Sequence, residues 1–243
     1  RTVALKLLRA QRLDARRVAY FEVERQLLAQ MRHPAIAQVF DAGATPEGQP
    51  YFAMEFIEGC PITQYCDDHA LSLQARIALF IRVCEGVQHA HQKGVIHRDL
   101  KPGNLLVDEV DGRPLPKVID FGIATASSLT EGREIAGTPD YMSPEQAGGD
   151  QSLVDTRSDV YALGVVLYQL LSACLPYHVD QGNLHAATEA ITFSAWKPIC
   201  PLRVSGTRAS GRRFMKAPST QTTSPRSTNT TRLPCAMCVA MTG

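Results

Sequence analysis

Apolar and polar positions alternate along the chain with two distinct periods. Residues 2–8 are a short apolar run interrupted by Lys6, which predicts a strand. Over 14–31, Val18, Phe21, Leu28 and Met31 recur at helical spacing and predict a helix. Glu24 lies on or beside that apolar face, where a carboxylate is costly unless it is paired; Lys6, in the preceding strand, is a cation with no obvious partner. His33-Pro34 closes the helix, because the residue before proline avoids the helical basin. Ile36 to Ala42 and Tyr51 to Ile57 read as two strands joined by the turn Thr45-Pro46-Glu47-Gly48-Gln49, and Glu58-Gly59 breaks the pattern as a hinge.

Residues 72–92 predict an amphipathic helix whose core stripe is Leu73, Ile77, Phe80, Ile81, Cys84 and Val87. Short strands follow at 104–107 and 116–119, with the tight turn Asp111-Gly112 between them. The run 158–172 is almost wholly apolar, as suits a helix buried on most sides. After Ile191 the periodicity collapses. Pro198, Pro201, Pro218, Pro225 and Pro234 interrupt any long helix, and Ser219-Thr220-Gln221-Thr222-Thr223-Ser224 has no period at all.

Composition sharpens this boundary. The chain has 243 residues, 44% hydrophobic, enough for a globular core, with a net charge of +1. All 24 acids lie in residues 1–189, while residues 190–243 have none and carry 8 Lys and Arg. That tail reads either as an ordinary disordered basic extension or as sequence out of register with its ancestral frame. A basic stretch without interleaved aromatics is a solvated one, so no nucleic-acid partner is expected. No apolar run is long enough to cross a membrane. The 7 cysteines are scattered and odd in number, which favours free thiols and a cytoplasmic setting. The single Cys-x-x-Cys, Cys235 and Cys238, is a weak zinc signal.

The chemistry is concentrated in His97-Arg98-Asp99-Leu100-Lys101-Pro102-Gly103-Asn104, which sets an acid, a cation and an amide in one loop. A second acid follows in Asp120-Phe121-Gly122. Phosphoryl transfer needs a carboxylate to orient the attacking hydroxyl, a cation for the moving group and oxygen ligands for magnesium. Around these lie, in order, Val3-Ala4-Leu5-Lys6, Glu24, Gly137-Thr138-Pro139, Ser143-Pro144-Glu145 and Ser158-Asp159-Val160-Tyr161-Ala162-Leu163-Gly164.

The set resembles the eukaryotic-type protein kinases of the serine/threonine branch, over about residues 1–192. Pro61-Ile62-Thr63-Gln64-Tyr65-Cys66 and Val87-Gln88-His89-Ala90-His91 are similar to bacterial members, whose full-length parents can be membrane-anchored. The resemblance implies an α+β, two-lobed kinase-like fold. Residues 1–57 would form a partial β-rich small lobe, 58–192 a helical large lobe, and 193–243 a disordered or non-native tail. ATP and Mg²⁺ are the implied cofactors, and proteins presenting Ser or Thr the implied substrates.

Residue by residue, the resemblance implies that Asp99 orients the incoming hydroxyl and Lys101 neutralises the γ-phosphoryl group. Asn104 and Asp120 would hold the metal. Lys6 would contact the α- and β-phosphates and pair with Glu24. Ala4 and Leu106 would sandwich the adenine, Met54 would be the gatekeeper, and the backbone of Glu55 and Ile57 would meet the adenine edge. Arg98 implies control by an activation-loop phosphate, with Ser127, Ser128 and Thr130 as acceptors. Thr138 would shape the substrate-hydroxyl site. His97 would pack in an internal column with Leu28, Val39 and Phe121, and Asp159 would bind the catalytic-loop backbone.

Three departures temper the expectation. Ser143 stands where the motif has alanine. No arginine is visible to pair with Glu145. The chain opens within the strand of Lys6, so a small sheet of three strands without the glycine-rich loop is expected, and transfer by this chain is expected to be weak or absent. The alternative is a non-catalytic kinase-like nucleotide-binding or regulatory module. A small-molecule phosphotransferase is disfavoured by Lys101-Pro102 and by the segment from Gly137 to Glu145.

Overall fold

A computed structural model describes residues 2–7, 21, 23, 25–121, 138–148, 151–177, 191 and 238–241. In chain order its elements begin with β1 (Val3–Leu7), a helix α1 described at 21, 23 and 25–29, β2 (Val39–Ala44) and β3 (Pro50–Glu55). Then come β4 (Cys60–Pro61), α2 (Ile62–Asp68), α3 (Leu73–Gln92), β5 (Leu105–Val110) and β6 (Arg113–Val118). The short α4 (Pro144–Ala147), the long α5 (Thr156–Ser172) and β7 (Cys238–Met241) follow. This is an α+β arrangement around two antiparallel sheets, ordered β2-β3-β1-β7 and β4-β5-β6.

The first sheet has four strands where the sequence predicts three. β7 adds to the outer edge of β1, with Cys238 opposite Lys6 and Met241 opposite Val3. A bare edge leaves a row of unpaired N–H and C=O groups, and the uncharged run Cys238-Val239-Ala240-Met241 can supply their partners. Nothing in the hydrophobic periodicity of the tail distinguishes those four residues.

The second strand also begins later than expected. Residues 35–37 bond to the end of β6 instead: Val118 N donates to Ala35 O at 2.8 Å and Ala37 N to Val118 O at 2.9 Å. β2 then carries a bulge between Val39 and Asp41. In the second sheet, Asp111 (φ +52°) and Gly112 (φ +70°) form the two-residue hairpin turn that the sequence predicts. β6 tolerates Pro114 and Pro116 because it is an edge strand, where a missing N–H costs no ladder bond.

α3 starts at its Ser72 cap, whose Oγ accepts from Ala75 N at 3.3 Å. Its buried face is Leu79, Phe80, Val83, Gly86, Val87 and Ala90. This corrects the predicted stripe. Leu73, Ile77 and Ile81 are exposed, because the helix turns the neighbouring face towards β6 and α5. Arg76 joins the helices through carbonyl groups: its guanidinium donates to Leu71 O, Cys66 O and Leu170 O, and to the Asp67 carboxylate at 2.8 Å. α5 buries Ala162, Leu163, Val165, Val166 and Leu170 and leaves Val160 exposed. Phe21 of α1 packs on Phe52 of β3, centroids 4.9 Å apart, which seats that helix on the first sheet.

Gly59 is a packing glycine. A Cβ there would lie 2.7 Å from the Val107 carbonyl carbon. The predicted hinge at Glu58-Gly59 is therefore a place where the backbone runs hard against β5.

Candidate active site

The loop after α3 is held from beneath by one carboxylate. Asp159, on α5 and buried, accepts His97 N on Oδ2 and Arg98 N on Oδ1, each at 2.8 Å. His91, near the end of α3, contacts the same Oδ2 at 2.7 Å. On the other side, Gln146 Nε2 of α4 donates to Arg98 O at 2.7 Å. The peptides flanking Arg98 are thus fixed, and they hold it at φ +68°. A non-glycine residue in that region persists only where its surroundings over-determine it.

His97 is buried among backbone groups. Asp99 N donates to its Nδ1 at 3.3 Å and its Nε2 lies 2.9 Å from Ile119 O, which makes the neutral imidazole with the proton on Nε2 the fitting form. Burial pulls its pKa below the ordinary value, against the pull of Asp159, Asp99 and Asp120 and the bond to Ile119. Its ring lies 4.8 Å from that of Phe121, and Leu28 and Phe121 share one core with Val39 packed against it. His97 therefore supports the loop, as the sequence implies.

Above it, the polar groups converge. Lys101 Nζ donates to Asp99 Oδ2 at 2.8 Å and to Thr138 Oγ1 at 3.0 Å. Asn104 Nδ2 donates to Asp99 O at 2.7 Å and Oδ2 at 3.2 Å. The Asp99 and Lys101 side chains are each about a quarter exposed, so they are held yet reachable by a substrate. Ile119 N donates to Asn104 O at 3.0 Å, which carries the chain directly to Asp120 beside this cluster. Asp120 sits at φ +64°, a conformation that aspartate tolerates better than most residues.

Lys6 Nζ lies 2.9 Å from Asp120 Oδ1. The first sheet and the loop beyond the second sheet meet in this ion pair. Asn104 has spent its amide N–H groups on Asp99, which leaves Oδ1; Asp120 has spent Oδ1 on Lys6, which leaves Oδ2. Two hard oxygen donors suit Mg²⁺, which takes few protein ligands and fills its shell with phosphate oxygens and water.

Beside the pair, Ala4 faces Met54 across the β1–β3 ladder, and Met54 is buried. Glu55 ends β3, Ile57 is buried in the crossing that follows, and Leu106 is half-buried on β5. Glu24, Gly122, Ser127, Ser128, Thr130 and Gly137 lie outside the described residues, so the expected Lys6–Glu24 pair does too.

Some partners are not signalled by the motifs. Glu145 accepts the Ser158 hydroxyl at 2.5 Å. Burial pushes its pKa up, but hydrogen bonds from Ser158, from its own backbone and from Ser143 outweigh that and hold it below the usual carboxylate range. Gln146 Oε1 accepts Ser143 N at 3.1 Å, and the Ser-x-x-Gln spacing of a capping box is the signal that could have found it. Tyr141 OH donates to Gln169 Oε1 at 2.8 Å, and burial pushes its pKa up to about 12. His91 lies in a quoted stretch and Lys117 in none, but for both only the packing reveals the partner.

The protein kinase domain model matches residues 1–230, beyond the limit near 192 that the motifs mark. Serine/threonine-protein kinase pkn3 of Myxococcus xanthus is 40% identical over 190 residues, covering 74% of this chain and 34% of that protein. PknB of Mycobacterium tuberculosis is 39% identical over 190 residues, with 74% and 30% covered. The chain thus spans about a third of the length of the curated relatives it matches. The crystal structure of the Mycobacterium tuberculosis PknI kinase domain superposes with a TM-score of 0.56 at 30% identity, covering 76% of this chain and 70% of that one. A match over most of the chain, joined to this arrangement of Lys6, Asp99, Lys101, Asn104 and Asp120, places the chain in the protein kinase family, among the bacterial serine/threonine kinases.

Proposed function

We propose that this domain transfers the γ-phosphoryl group of ATP, with Mg²⁺, to Ser and Thr hydroxyls of protein substrates. The observation that carries the reading is the 2.9 Å contact of Lys6 with Asp120, because it brings a phosphate-binding cation and a metal-binding acid together from the two sheets. Asp99 orients the hydroxyl and receives its proton. Lys101, already bridging Asp99 and Thr138, neutralises charge on the moving group, and Thr138 shapes the place where the hydroxyl enters. Asn104 and Asp120 would hold Mg²⁺, which when bound would neutralise charge on the triphosphate. Lys6 releases Asp120 to meet the α- and β-phosphates. Ala4 and Leu106 enclose the adenine beside Met54, and the backbone of Glu55 and Ile57 meets its edge. Arg98 couples the loop to a phosphate on the activation segment. Cys60, Cys66, Cys84 and Cys174 are free thiols, which suits a reducing, ATP-containing cytoplasm.

Incubation with Mg²⁺, γ-labelled ATP and a Ser/Thr-rich general substrate protein tests this. Label should enter Ser and Thr, slowly for this chain, and Asp99→Asn should lower the rate by at least about a hundredfold. Transfer that survives Asp99→Asn would sink the assignment. Nucleotide binding without transfer would put the chain in the non-catalytic class instead.

A further inference from the structure

Lys117 is a buried lysine on β6, three residues before Asp120 and outside the quoted motifs. Its Nζ donates to both Oε1 and Oε2 of Glu55, each at 2.9 Å. Glu55 Oε2 also accepts Gln38 N at 3.1 Å, and Glu55 N donates to Gln38 O at 2.8 Å. Glu55 is the last residue of the first sheet before the chain crosses to the second. Across the β5–β6 ladder, Lys117 lies directly opposite Leu106. One ammonium therefore ties the end of the first sheet to the second sheet, at a residue paired with the expected floor of the nucleotide site.

A buried ammonium is expensive unless its partner is well placed, and a pair that spans two sheets fixes geometry more than it adds stability. Its neighbours are fixed as well. Residues 35–37 are bonded to Val118, and Gln38 is bonded to Glu55 on both its N–H and its C=O. Glu55 cannot rotate without breaking bonds to two other segments. The Glu55 end of β3 is thereby tied to the residue that faces Leu106.

We infer that Lys117 is a positioning residue for the nucleotide base: by clamping Glu55 to β6 it fixes the hinge backbone against which the purine edge is read. This rests on the kinase reading above. The clamp acts on the base and leaves the phosphates to Lys6 and the metal ligands, so its loss should appear in nucleotide selectivity more than in the chemical step.

The experiment measures Kd for Mg·ATP and Mg·GTP by calorimetry on the full chain. Wild type should prefer ATP. Lys117→Met should weaken ATP binding about tenfold and shrink the ATP/GTP preference, while Lys117→Arg should restore most of both. Lys117→Met strips the half-buried Glu55 carboxylate of its cation and can unfold the chain, so the double variant Lys117→Met/Glu55→Met is measured beside it. That variant removes both charges and should fold, yet it should still have lost base preference. A folded variant with wild-type ATP/GTP preference overturns the clamp alone. A wild type that binds neither nucleotide overturns the kinase reading and the clamp with it.

Discussion

His91 Nε2 and Asp159 Oδ2 lie 2.7 Å apart, and that same oxygen accepts the backbone N–H of His97 at 2.8 Å. A side chain on α3 and one on α5 thus meet under the loop that carries Asp99. With Oδ1 on Arg98 N, the buried carboxylate has three partners and is fully engaged.

Removal of this acceptor leaves two backbone donors unsatisfied in the interior. Asp159→Ala should cost about 3 kcal/mol of stability in urea unfolding, since hydrogen bonds to charged groups contribute about 1.5–3 kcal/mol. Asp159→Asn should also destabilise, because one arm of the amide presents N–H groups to N–H donors. A loss below about 1 kcal/mol for Asp159→Ala would show that the loop is held by other means.

His97 gives a pH dependence with a definite sign. Its folded-state pKa lies below the ordinary 6.5, mainly through burial, so the unfolded chain takes up the proton first. Its contribution is fully present above 6.5 and is lost as pH falls from 6.5 towards the folded pKa. Urea midpoints should fall on acidification from about pH 7.5 to about pH 5.5, and the slope should be shallower in His97→Phe. Equal slopes in the two proteins would assign the effect to other groups.

Gly59 tests the packing account of the crossing segment. Gly59→Ala sets a methyl group against the Val107 carbonyl, which belongs to a strand paired on both sides and cannot easily yield. A loss of about 1–3 kcal/mol is expected, the usual cost of overpacking. If Gly59 were only a flexible joint, the substitution would be neutral or slightly stabilising through the unfolded state.

Thr138 tests the substrate side of the site. It accepts a hydrogen bond from Lys101 at 3.0 Å. Thr138→Ala should lower kcat/KM for a protein substrate by about tenfold or more, while Thr138→Ser, which keeps the hydroxyl, should stay near wild type. Equal losses in both variants would place the effect in the Thr138 methyl group.

Sequence alone determined the identities of the chemical groups and the order in which they occur. Loop residues such as Asp99, Lys101 and Asn104 are legible because their types and short spacing suffice to state the chemistry, and the Asp111-Gly112 turn is legible because only a few residues accept two positive φ angles. Tertiary structure decided the pairings. Lys6 and Asp120 are separated in sequence by β2 to β6 and α1 to α3, so no local spacing reports their contact. The apolar positions of α3 offer two adjacent faces, and only packing against β6 and α5 selected Phe80, Val83 and Val87 over Leu73, Ile77 and Ile81. Residues 238–241 show no strand period, yet they form one because β1 has an edge to be paired. Long-range contacts depend on which surfaces meet, and a linear pattern with a period of two or 3.6 residues does not encode that choice.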